Sequence, residues 1–220
     1  MMFSRKREGA KHVRAADAPP SKALAKSLAA DGGAPAPEFG PWDAKHAPDD
    51  VQRLDLGSLQ IPAIEGVEVR VQANPDGAVE QIVLVDGESA LQIGVFAAPK
   101  TEGIWGEVRE EIATAMTADG VDAREVDGRY GIELIARVNT PDGPADVRFV
   151  GVDGPRWMVR ALFQGAAAAD RSKEGVLGEA LEGMVVVRDE EPRPVREPLP
   201  LRLPAEMAEQ NAEQNPAQQV

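Results

Sequence analysis

Between Arg53 and Val187 the chain runs in short stretches where apolar and polar residues alternate, and most of these stretches end at a turn built from Gly, Pro, Asn or Asp. Val67, Val69 and Val71 alternate with Glu68, Arg70 and Gln72, the period of a half-buried strand. Asn74-Pro75-Asp76-Gly77 turns the chain, Gln81 to Val85 is a denser apolar strand, and Asp86-Gly87 turns it again before Leu91, Ile93, Val95 and Ala97. Connections this short predict antiparallel strands. A helix follows, with Ile104, Trp105, Val108, Ile112 and Met116 at helical spacing, Thr101 as its expected N-cap and Asp119-Gly120 as its stop.

The second half repeats the plan. Ile132, Leu134, Ala136 and Val138, then Ala145, Val147 and Phe149, then Trp157, Val159, Ala161 and Phe163 form three more alternating sets. Thr140-Pro141-Asp142-Gly143 and Val152-Asp153-Gly154-Pro155 separate them. A second helix is expected from about Asp170 to Gly183, burying Val176, Leu177, Ala180, Leu181 and Met184, with Val185-Val186-Val187 as a short last strand. The order strands, helix, strands, helix predicts an α+β fold: a single, mostly antiparallel twisted sheet of about six strands packed with two helices. With Val67, Ile93, Leu134, Val147 and Val159 toward the helices, the opposite face carries Arg70, Gln92, Arg137, Arg148 and Arg160 beside Glu68, Glu133 and Asp146. Ile135, Val150, Met158 and Leu162 share that face, which implies that something partly covers it.

Composition narrows the chemistry. The chain of 220 residues has no cysteine, so thiol catalysis, Cys-rich zinc sites and disulfides are excluded. Its two histidines, His12 and His46, lie outside the patterned region, which leaves no imidazole for a Ser-His-Asp or Cys-His relay there. None of the hydroxyls of that region sits in a G-x-S-x-G or S-x-x-K motif, and the phosphate-loop spacing is missing. Glu107, Glu110 and Glu111 share a helix without the histidine that usually completes a metal site, and read as a solvated face. No cofactor is expected. No apolar run reaches the ~20 residues of a transmembrane helix, and the basic start lacks the apolar segment of a secretory signal. A cytoplasmic protein is the expectation.

The net charge of -13 is unevenly spread. Residues 1–28 hold seven Lys/Arg against Glu8 and Asp17, a net of +5 that leaves -18 on the remainder. The division expected is a disordered basic arm over 1–38, an α+β domain over 39–188, an extended Pro/Leu-rich strap over 189–204 and a disordered polar tail over 205–220. Trp42, beside Gly40-Pro41, reads as an anchor onto the domain or as a partner-facing hot spot. Prolines at the density of Pro198-Leu199-Pro200-Leu201-Arg202-Leu203-Pro204 forbid helix, and the three leucines are expected to pack on their own domain, with a partner groove as the alternative.

Four segments carry a resemblance: Gly40-Pro41-Trp42-Asp43; Arg53-Leu54-Asp55-Leu56-Gly57-Ser58-Leu59; Ala97-Ala98-Pro99-Lys100 with Gly103-Ile104-Trp105; and Gly151-Val152-Asp153-Gly154-Pro155-Arg156-Trp157-Met158-Val159-Arg160. Over residues 38–204 the chain resembles an actinobacterial family known as a domain of unknown function, thirty-seven-ten. The resemblance implies soluble proteins without an established activity, often encoded near a dUTPase, and it brings no catalytic residues to carry over. The element order is also similar to the PsbP/Mog1-like α+β fold, which implies a binding or assembly module.

Three functions stay open on the sequence. The first is a non-enzymatic protein-binding or adaptor module, its partner another protein. The second is a small-molecule or anion binder, or an enzyme of Arg/Asp/Glu chemistry, resting on Lys100, Asp153 and Arg156 at and near the Gly151–Trp157 turn. The third is a nucleic-acid-associated protein acting through the basic arm, against the repulsion of the acidic body. The possible binding residues are Arg156, Asp153, Lys100, Arg70, Arg137, Arg148, Arg160 and Trp42.

Overall fold

The computed structural model describes residues 39–73, 78–141 and 143–203; the basic arm and the polar tail lie outside the described residues. The alternating runs become strands: β1 (Trp42–Asp43), β2 (Arg53–Asp55), β3 (Leu59–Pro62), β4 (Glu68–Ala73), β5 (Val79–Asp86) and β6 (Ser89–Ala97). After helix α1 (Trp105–Ala118) come β7 (Ala123–Gly128), β8 (Gly131–Thr140), β9 (Gly143–Gly154) and β10 (Trp157–Gln164). Helix α2 (Ala166–Ala169), a 3-10 turn at Arg171–Lys173, helix α3 (Gly175–Gly183) and β11 (Val185–Val186) complete the order.

The α+β class holds, but the single six-stranded sheet does not. There are two sheets, one of seven strands in the order β4-β5-β6-β10-β9-β8-β7 and one of four in the order β1-β11-β3-β2. The large sheet is antiparallel throughout, two meanders joined where β6 meets β10. The small sheet combines strands of two to four residues from both ends of the described chain, too short to show a period.

The helices lie on opposite faces of the large sheet, and this overturns the face assignment made from the alternation. Directly paired residues of antiparallel strands share a face. Ile93 pairs with Ala161 and Ala161 with Val150, while Phe163 pairs with Arg148 and Arg148 with Ile135. These point to α2, α3 and the small sheet, where Leu56, Leu59, Ile61, Leu177, Leu181, Met184 and Val186 close one core. The other rows run Gln92–Leu162–Phe149–Leu134 and Gly94–Arg160–Gly151. On that side the Trp105 ring lies where a Cβ on Gly151 would stand, which fixes α1 there. Leu134 and Val147 therefore face α1, whereas Ile93 and Val159 face the small sheet. The central strands are apolar on both faces because the sheet is the middle layer, the pattern of a sheet covered on both sides.

The strap joins the two sheets. β5 pairs with β6 only from Ile82 to Asp86. Beyond Ile93 the free edge of β6 is taken by the strap: the Arg196 N–H donates to Ala97 O, the Ala97 N–H to Glu197 O and the Leu199 N–H to Val95 O. Further along, Ser58 donates to Pro200 O and Val79 to Leu201 O. Leu199 is buried and Leu201 packs on the core, so these two strap leucines serve their own domain. Among the described residues no helix is long and apolar enough to cross a membrane.

Candidate functional site

Arg160 sits at the centre of β10, on the α1 side of the large sheet. Its cross-strand neighbours are Gly94 on β6 and Gly151 on β9, so no side chain stands beside it in its own row. The guanidinium lies over the Phe96 ring, 5.1 Å from its centroid, a cation–π contact. Burial pushes its pKa down, since the charged form loses solvation. Among the described residues it makes no ion pair or side-chain hydrogen bond.

The surroundings continue this character. α1 packs mainly on β7, β8 and β9; on the outward face of β10 Met158 is buried, while the positions further along are only half-buried. Val83, Val85, Gln92, Phe96, Leu162 and Phe149 are all half-buried there, around Arg160. In a chain with 37 acidic residues, the one carboxylate that the described residues of β5, β6, β9 and β10 present on this face between Gln81 and Gln164 is Asp153, opposite Met158, and it is taken by the cap of α1. Glu68 and Arg70 mark its β4 border and pair with each other at 2.9 Å, fully in solvent.

Arg148 lies on the opposite face and is the largest departure from the sequence reading. It is not part of an exposed platform but is 3% exposed inside the core. It donates to Glu133 Oε2 at 3.0 Å, to Glu174 Oε1 at 2.7 Å and to Ala167 O at 2.9 Å, and stacks over Phe163 at 4.3 Å. Arg171 donates to the same Glu133 oxygen at 3.1 Å. Glu133 is 1% exposed and fills the space a Cβ on Gly128 would take. Burial pushes the Glu174 carboxyl up, against the pull of Arg148. Two cations and two carboxylates balance, so the cluster holds α2 and α3 to the sheet and leaves no charge for a ligand. The Tyr130 hydroxyl is buried without a partner near this cluster, and burial raises its pKa.

The remaining candidates are held by structure. Asp153 accepts from the N–H groups of Ile104 at 2.8 Å and Trp105 at 3.2 Å, so it, and not Thr101, caps α1 across 49 residues of chain. Burial pushes its carboxyl up, opposed by those two donors. Asp153→Ala is expected to lower stability by about 0.5–2 kcal/mol, the usual loss of a cap, measurable by urea denaturation; no change would show that α1 is held by packing alone. Arg156 has a left-handed backbone, φ 66°, at the β9–β10 turn. Its guanidinium donates to the carbonyls of Asp189, Glu190 and Glu191 at 3.3–3.4 Å. Lys100 is exposed in the loop before α1. Asp153 and Arg156 thus spend their side chains on separate structural contacts. Arg137 is exposed and 3.9 Å from Asp146, on the Arg148 side of the sheet. Trp42 is half-buried in β1, which pairs with β11, and the Trp157 indole donates to the adjoining Asp43 at 3.2 Å.

The clefts among the described residues include two open ones of about 360 and 560 Å3. The smaller is apolar, with Leu54, Ile64, Val67 and Val69. The larger runs along α1, where Arg196 bridges Glu107 and Glu111. Neither is lined by Lys100, Asp153 or Arg156. No group of three or more His, Asp or Glu side chains among the described residues is arranged to hold a metal ion.

Sequence reasoning marked Arg160 but placed it in a charged row with Arg148. The signal that would have separated them is the glycine on each flanking strand, which makes room for the Phe96 and Trp105 rings beside Arg160 in place of a charged neighbour.

Against known proteins, residues 40–210 match the model of a family described as a protein of unknown function, DUF3710. No curated protein matches. Among solved structures the chain is similar to the solution structure of cyanobacterial PsbP from Synechocystis, with a TM-score of 0.34 and 12% identity, over 62% of this chain and 92% of that one.

Proposed function

The chain belongs to the DUF3710 family, and from that premise we propose that it is a protein-binding module whose contact surface is the uncovered outer strip of β5, β6 and β10. The observation that carries this reading is the strip itself: half-buried apolar side chains around one arginine without an anionic partner among the described residues, on a face that α1 covers mainly over β7–β9. Contiguous apolar surface of this kind, rimmed by polar residues, marks interaction sites. Arg and aromatic side chains at the centre of a patch are the usual anchors. Small-molecule chemistry is less well supported, because such sites are concave with convergent polar groups, and Arg156 and Asp153 spend their polar atoms on the fold.

The test is affinity capture with the full chain and two variants. Leu162→Lys places a charge in the strip while its stem keeps the local packing. Arg137→Glu changes a charge on the other side of the sheet. A partner recovered by the wild type and by Arg137→Glu, and lost with Leu162→Lys at unchanged thermal stability, is the expected result. Recovery by all three places the interaction elsewhere.

A further inference from the structure

The strip has a chemistry that narrows what it takes. We propose that it receives an extended segment of another protein that sets one carboxylate on Arg160 and apolar side chains on Phe96 and Leu162; this rests on the protein-binding reading above.

The charge argument comes first. Arg160 has lost part of its solvation, is stacked on Phe96, and has no anionic partner among the described residues. A carboxylate arriving there gains a charge-assisted hydrogen bond with a planar donor that accepts it in two-point geometry. The Phe96 ring lies over Gly94 and the Trp105 ring over Gly151, so Arg160 is framed by aromatic rings, its head about 3.9 Å from where a Cβ on Gly94 would stand. Phe96 and Leu162 lie one strand position to either side of Arg160 along the same face, since Leu162 pairs with Gln92, and Phe96 with Met158. Side chains at alternate positions of an extended segment lie about 7 Å apart on one face, the same repeat as the sheet below. One acidic residue with apolar neighbours two positions away therefore matches the strip.

The surrounding field sharpens this choice. The chain carries -13 overall, so a broadly anionic surface is repelled everywhere except at this window, whose one carboxylate among the described residues, Asp153, is occupied by the α1 cap. A nucleic acid, which needs several cations along its backbone, finds a single one. A second copy of this chain in face-to-face contact would bring Arg160 against Arg160 or its acidic flanks together. A segment with one acidic side chain in an otherwise apolar run avoids both conflicts, and charge complementarity of this kind sets specificity more than affinity.

The experiment is selection of a displayed random peptide library on the full chain, in parallel with Arg160→Glu and with Leu162→Lys, each first shown to melt as the wild type does. The expected outcome is enrichment of peptides with Asp or Glu at one position and apolar residues two positions away. Arg160→Glu should bind those peptides at least ~10-fold more weakly and should itself select Lys or Arg at that position. Enrichment that is lost with Leu162→Lys but shows no acidic preference, or no response to Arg160→Glu, overturns the inference while the protein-binding reading stands. Absence of any enrichment that depends on either residue overturns the reading itself. Enriched sequences that match the Glu206–Glu213 stretch of this chain would overturn the assignment to another protein and make the occupant its own C-terminal segment.

Discussion

Replacing Arg148 by Met is expected to lower stability by about 3–5 kcal/mol, the cost of leaving buried carboxylates without their cation. Glu133 has 1% of its surface exposed and would keep only Arg171, which is 44% exposed and reaches it from the rim. Glu174 would lose its 2.7 Å partner, and the Ala167 carbonyl its donor. Met restores part of the volume over Phe163 but none of the charge. For a chain of this size each kcal/mol moves Tm by roughly 2–4 °C, so the effect is measurable by calorimetry as well as by urea. The triple variant Arg148→Met, Glu133→Gln, Glu174→Gln removes the stranded charges and should recover much of the loss. A single Arg148→Met variant within 1 kcal/mol of the wild type would mean that the cluster is solvated and does not tie α2 and α3 to the sheet.

Gly151→Ala is expected to displace α1. A Cβ on Gly151 would stand inside the Trp105 ring, against its Cδ2, Cε3 and Cγ atoms. That ring cannot swing aside cheaply: Trp105 is 5% exposed, and its indole N–H donates to Ile132 O at 2.8 Å. Arg109 stacks on its other side at 5.9 Å. Overpacking at such a site costs about 1–3 kcal/mol, sometimes more. Strain has to be shared by the helix, its Asp153 cap and the β8–β9 pair. A double-mutant cycle with Trp105→Ala separates this from a general backbone effect. The two changes should couple by about 0.5–3 kcal/mol, with Gly151→Ala nearly harmless once the ring is gone. Additive effects would show that α1 does not depend on this contact.

These two sites also show where the sequence stops being readable. Strands β4 to β6 and β8 to β10 are legible because each has a two-residue period and most of their turns carry Gly, Pro, Asn or Asp. β7, Ala-Arg-Glu-Val-Asp-Gly, is missed because an edge strand with three charges and a single Val has no apolar face to announce it. The small sheet is missed because its strands are two to four residues long and come together from residues 42 to 186. The face assignment fails at β8, where Leu134 and Ile135 are both apolar and the buried Glu133 reads as a solvent residue. The cap on α1 comes from a residue 49 positions on, which local rules cannot supply; Thr101 had the right chemistry and the wrong distance. Of the candidate site residues, the fold absorbs Arg148, Arg156 and Asp153 into structural contacts, whereas Arg160 makes no ion pair among the described residues.

The protein-binding account is tested most directly by placing a photo-cross-linking amino acid at Leu162, in the strip, and at Arg137, on β8 and on the opposite face of the sheet, in the full chain inside cells of its source. The account expects a discrete cross-linked protein from position 162 that is absent from position 137 and diminished when Arg160→Glu is added. No adduct at 162, or the same adducts from both positions, would contradict the claim that the outer strip is where this protein meets its partner.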